Sequence, residues 1–168
     1  NPSVTDRSIT STRPVIGWRE HVDLPEWGLS RVRAKIDTGA RTSAIDVAEI
    51  EERKDGSIRF EVVAKQKPKR VTTWVTAMPT RVSVVKPSHG KAQRRYVCET
   101  MMRVGEHEQR IEISLVCRKK MLCRMLIGRR ALAGHVLVDA ARKYVMSEPP
   151  RSKRRDPGND GDVRKAAR

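Results

Sequence analysis

The chain has 168 residues, the size of one ordinary domain, of which 38% are hydrophobic, 33% charged and 4% aromatic. Lys and Arg number 36 against 20 Asp and Glu, a formal net charge of +16, which speaks of acidic partners rather than of fold. No run approaches the roughly 18 consecutive apolar residues of a membrane span, so no membrane partner is expected. Three cysteines without a Cys-x-x-Cys pair argue against a disulfide scaffold and for a reducing, cytoplasmic setting. The first residue is Asn rather than Met, which leaves room for a removed N-terminal segment.

Residues 1–12 are polar and rich in Ser and Thr, and are expected to form a flexible N-terminal arm. Residues 13–22, with Val15, Ile16 and Trp18, predict a strand, and Asp23 to Gly28 a turn. From 31 to 37 the period is two: Val32, Ala34 and Ile36 point one way, Arg31, Arg33, Lys35 and Asp37 the other. After a turn at 54–57, Ile58, Phe60, Val62 and Ala64 alternate with Arg59, Glu61 and Lys65. Residues 71–77 and 81–85 are strand candidates on either side of Pro79. Residues 95–104 and 110–117 predict a hairpin turning at Gly105-Glu106-His107, with Ile111, Ile113, Leu115 and Cys117 on its apolar face. Residues 124–128 are short and apolar, 129–132 one helical turn, and 136–138 and 143–146 the last strands. From 148 onward, prolines, glycines and mixed charges, net +4 over 151–168, read as a basic disordered tail. About nine short strands without a long amphipathic helix predict an all-β sandwich or barrel, one domain over 13–147 between the arm and a tail at 148–168. No internal repeat appears.

The segment with chemistry is Ala34-Lys35-Ile36-Asp37-Thr38-Gly39-Ala40-Arg41-Thr42-Ser43. A strand that stops at Asp37 leaves a positioned carboxylate at its end. Gly39 permits a tight turn and close approach, and the Thr38 hydroxyl can pin the loop. About ninety residues on comes a second segment, Arg124-Met125-Leu126-Ile127-Gly128-Arg129-Arg130-Ala131-Leu132.

Together these segments resemble the retropepsin-like aspartic proteases, in which a strand ending in Asp-Thr-Gly-Ala packs beside an apolar-apolar-Gly-Arg run. With Val15-Ile16-Gly17-Trp18-Arg19-Glu20 and Val136-Leu137-Val138-Asp139, the chain is similar to the bacterial and archaeal family named for ATP-dependent zinc proteases and associated with RimK-type glutamate ligases. The resemblance runs from Pro14 to Met146. It implies a closed acid-protease barrel with one short helix, while the residues themselves lead to the expectation of no cofactor. It implies Asp37 as the catalytic aspartate, Thr38, Gly39 and Ala40 as its loop, and Ile127, Gly128 and Arg129 as support. One motif per chain implies a homodimer in which two copies of Asp37 share a proton and activate a water against a peptide or isopeptide-like amide.

The sequence departs from the pattern in two places. Arg41 stands where many retroviral proteases carry an acidic partner for the Gly-Arg arginine, so Asp46 or Asp139 would have to serve Arg129 instead. Arg41 and Arg130 would then suit an acidic protein or peptide substrate. Residues 70–85 occupy the place of the flap hairpin but contain no glycine. The zinc in the family name finds no motif: there is no His-Glu-x-x-His, His21, His89, His107 and His135 are scattered, and Cys117 and Cys123 have five residues between them. No phosphate loop supports ATP use. Trp18 and Trp74 are expected in the core or at a dimer interface. No aromatic cluster interleaves with a basic run, so nucleic acid is not an expected partner. The rival readings are a zinc-dependent peptidase and a non-catalytic basic β-domain that binds an acidic protein or nucleic acid.

Overall fold

Period-two alternation builds nearly every element of the structure, a computed structural model that describes residues 12–86, 89–117 and 122–151. The expected arm, except its last residue, and the tail beyond 151 lie outside the described residues. Eleven strands are described: β1 (Val15–Gly17), β2 (Arg19–Leu24), β3 (Leu29–Ile36), β4 (Ser43–Glu52), β5 (Ile58–Lys65), β6 (Val71–Ala77), β7 (Arg81–Val85), β8 (Gln93–Val104), β9 (His107–Val116), β10 (Met125–Ile127) and β11 (Leu137–Asp139). One α-helical turn, α1 (Arg129–Leu132), stands between β10 and β11.

Six strands close into a barrel in the order β10-β3-β2-β8-β9-β4, with β4 pairing back onto β10. β5 and β6 extend the sheet from β4, β7 pairs with β8, and β1 and β11 form a separate parallel pair. Closure removes the exposed edges of the strands that carry the site. The interior is filled by the inward halves of the alternating strands, among them Val22, Val32, Ile45, Phe60, Ile113, Met125 and Ile127, each at most 1% exposed. Trp27 meets the edge of Phe60 at 5.2 Å between ring centroids. The β8–β9 hairpin turns on Gly105 and Glu106, with Gly105 at φ 58°. A Cβ on Gly105 would also lie 2.1 Å from the Met146 carbonyl oxygen, so both backbone angle and space call for glycine there.

The sequence reading and the structure differ in several places. β4 carries no strand prediction. Its inward Ile45 and Val47 start an alternation, but buried Asp46 and a register shift between Val47 and Glu49 break it. The expected strand at 13–22 is two strands, β1 and β2, in different sheets, broken at Trp18. Residues 143–146 form no strand; they run as a strap beside β2, where Tyr144 N donates to Arg19 O at 2.8 Å. Cys117 is exposed rather than on the apolar face, because β9 ends at Val116. Neither Trp18 nor Trp74 is in the core. Trp18 is half-buried, and Trp74 is 37% exposed with the Arg59 guanidinium 4.1 Å from its ring centroid.

Candidate active site

Two short parallel strands bring the sequence motifs together. β10 lies beside β3 with Ile127 opposite Ile36. The two strand ends are then stitched: Ile36 N donates to Trp18 O and Asp37 N to Ile127 O, both at 2.9 Å. Asp37 is half-buried at the point where β3 stops. Its Oδ1 accepts from Gly39 N at 2.9 Å and Ala40 N at 3.2 Å, the self-made turn expected of Asp beside Gly. Among the described residues, Oδ2 has no hydrogen-bond partner. The carboxylate is thus fixed by one oxygen and open at the other.

The loop is held from below by the second motif. Arg129 N donates to Ala40 O at 2.8 Å, Arg130 N to Arg41 O at 3.1 Å, and Gly128 N to the Ser43 hydroxyl at 3.1 Å. Any Cβ on Gly128 would sit 2.5 Å from Thr42 O, so the close approach of the two segments requires glycine. The Arg129 Nη1 donates to the carbonyls of Thr38 and Gly39, each at 3.1 Å. This corrects the expectation that Asp46 or Asp139 would serve Arg129. Asp46 pairs with Arg124 in a buried ion pair, and Asp139 with Arg142 at 2.7 Å. Two backbone carbonyls do for Arg129 what a carboxylate was expected to do, and Arg41 is left exposed without conflict.

Arg130 is exposed and lines a pocket of about 240 Å³ with Thr42, Ser43, Gln109 and His135. Asp37 does not line this pocket. The stretch in the flap position forms no hairpin: β6 pairs with β5 and β7 with β8. Among the described residues, no group of three His, Cys, Asp or Glu is placed to hold a metal. The Cys98 thiol is fully buried, and desolvation pushes its pKa to about 11. No helix among the described residues is long and apolar enough to cross a membrane.

Glu20 is the residue that the sequence reading missed. Although fully buried, its carboxylate accepts from Gly17 N, Val145 N, Met146 N, Ser147 N and Ser147 Oγ, at 2.6–3.2 Å. It clamps the strap 145–147 against β2. That strap continues from Arg142, whose carbonyl accepts from Trp18 N at 2.9 Å, and Trp18 in turn holds Ile36. A signal for it existed: Glu20 stands at an inward position of β2, in line with Val22 and Leu24, where an unpaired charge is costly.

A family model described as retropepsin-like aspartic endopeptidase RimB matches residues 15–149. Among curated relatives, a probable alpha-L-glutamate ligase of Shewanella halifaxensis is 28% identical over 137 residues, covering 80% of this chain. One of Parasynechococcus marenigrum is 33% identical over 128 residues, covering 74%. The chain spans about 30% of the length of these relatives. A crystal structure of a Legionella pneumophila protein of unknown function (DUF785) is also similar, with a TM-score of 0.62 and 25% identity. It covers 80% of this chain and 98% of the Legionella chain.

Proposed function

The chain belongs to the RimB-like family of retropepsin-like aspartic endopeptidases, and from that premise we propose that it is a homodimeric aspartic peptidase with Asp37 as its catalytic carboxylate. The observation that carries the reading is the state of Asp37: Oδ1 held by two amides, Oδ2 open, at the mouth of a loop pinned by Gly128 and Arg129. Each chain supplies one such carboxylate, so the dyad needs a second copy across a two-fold axis.

In the dyad, the ionised Asp37 takes a proton from water while the oxygen of that water bonds to the amide carbon. The protonated Asp37 of the second copy gives its proton to the carbonyl oxygen. In the collapse of the tetrahedral species the first Asp37 gives its proton to the nitrogen, one hydroxyl returns its proton to the second Asp37, the C–N bond breaks, and an acid and an amine leave. Thr38, Gly39 and Ala40 hold the carboxylate. Ile127, Gly128 and Arg129 hold the loop. Exposed Arg41 and Arg130 are the contacts proposed for an acidic substrate, and the alpha-L-glutamate ligase names of the relatives favour glutamyl peptides as the first to try.

The test incubates the protein with glutamate-rich peptides and follows the products by mass spectrometry. Asp37→Asn is expected to lower the cleavage rate by about a hundredfold or more, with the wild-type rate indifferent to chelators. Cleavage that survives in Asp37→Asn and stops with a chelator supports the zinc-peptidase reading instead.

A further inference from the structure

The outer wall of β2 and β3 gathers cations that the sequence scatters. Arg31, Arg33 and Lys35 all point outward from β3. Across the antiparallel pair, Arg19 stands opposite Lys35 and His21 opposite Arg33. Like charges in direct register repel, and among the described residues neither Arg33 nor Lys35 forms an ion pair. Asp23 Oδ1 accepts from Arg31 N at 2.8 Å, and the backbone carbonyl of Glu148 lies 2.7 Å from His21 Nδ1. The His21 pKa is lowered mainly by burial, and further by repulsion from Arg31 and Arg33, against the opposing bond to the Glu148 carbonyl and the charge of Glu20.

Aromatic rings lie among these cations. Arg19 and Lys143 each come within 4.9 Å of the Trp18 ring centroid, and the His21 and Tyr144 rings are 4.8 Å apart. Trp18, His21 and Tyr144 are all half-buried. Among the described residues, the two non-glycine residues with positive φ, Arg31 (55°) and Tyr144 (52°), are both in this patch. Strained backbone of this kind tends to collect at functional surfaces.

We propose that this wall, formed by Arg19, Arg33, Lys35 and Lys143 with Trp18 and Tyr144, is a docking surface for single-stranded nucleic acid, with phosphates on the cations and bases on the rings. The unneutralised ladder calls for a polyanion. Both nucleic acid and an acidic peptide supply one, but only the former brings a flat face for Trp18, His21 and Tyr144 to stack on. Unpaired bases can stack in this way; bases within a duplex cannot. No contiguous stretch combines these features. Trp18 and Tyr144 are 126 residues apart and share this wall only because the strap runs beside β2. The inference stands apart from the peptidase reading and does not depend on it.

The test is fluorescence anisotropy with a labelled single-stranded RNA dodecamer of mixed sequence across a salt series. Exposed Arg33 and Lys35 are replaced together (Arg33→Ala with Lys35→Ala). The control (Lys54→Ala with Lys65→Ala) removes the same charge from exposed positions outside the wall. The wall variant is expected to bind at least about tenfold more weakly than the control, with a log K against log salt slope shallower by about 1.4, for two lost phosphate contacts. Wild-type protein should prefer the single strand to a duplex of equal length. Equal weakening in the two variants, preference for the duplex, or displacement of the RNA by polyglutamate at equal charge would each overturn the proposal.

Discussion

Arg124 and Asp46 show how much of the site rests on single side chains outside it. Their side chains are 8% and 5% exposed and form a buried ion pair. Arg124 also gives its carbonyl to Asp46 N at 2.9 Å, one residue before β10 begins. The pair therefore ties β4 to β10, the strand that ends at Ile127 and leads into Gly128. Removing one partner of a buried pair costs far more than the pair itself contributes. Arg124→Ala is expected to lower stability by about 3–5 kcal/mol, as measured by urea unfolding. The double apolar replacement Arg124→Leu with Asp46→Leu should recover a substantial part of that loss. Asp37 and Gly39 were legible at this scale because their hydrogen bonds are local, within three residues of one another. Glu20 was not, because four of its five partners lie about 125 residues away along the chain.

The strap, whose residues 143–146 were expected to be a strand, has a structural task. β2 pairs with β8 only at Asp23 opposite Arg103. The strap runs beside the rest of β2, donating from Tyr144 N to Arg19 O and accepting from His21 N at Ser147 Oγ. A carboxylate organises it rather than a ladder. Glu20→Ala would leave three strap amides without their acceptor, and buried unsatisfied donors cost roughly 1–3 kcal/mol each. Native-state hydrogen exchange should show the amides of Val145, Met146 and Ser147 losing protection in Glu20→Ala, with a smaller loss in Glu20→Gln. Unchanged protection there would mean that the strap is held by other contacts. The neighbouring β1–β11 pair depends on the same approach, since a Cβ on Gly17 would lie 2.6 Å from Arg142 O.

At the level of the whole molecule, the paired-aspartate reading makes a demand that no single chain can meet. Mixing wild-type protein with an excess of Asp37→Asn should exchange subunits and silence the wild-type copies by forming mixed dimers. Activity per wild-type chain should then fall as the variant is added, where a monomeric enzyme would be unaffected. The +16 net charge works against self-association at low salt, so the dimer fraction, read by analytical ultracentrifugation, should rise with ionic strength.

The sequence by itself determined the all-β class, most strand positions and the catalytic-loop candidate. Each of these is written in local patterns: alternation with period two in β3, β5 and β9, and contiguous motifs around Asp37 and Gly128. Only the tertiary structure decided that β4 exists despite its broken period, and that Arg129 binds carbonyls instead of a carboxylate. Only there, too, does Glu20 clamp the strap, and do Trp18 and Tyr144 join the cations of β2 and β3. The physical reason is the same in each case: a hydrogen bond or a charge is settled by whichever group the fold brings within about 3 Å, and sequence separation carries no information about that distance.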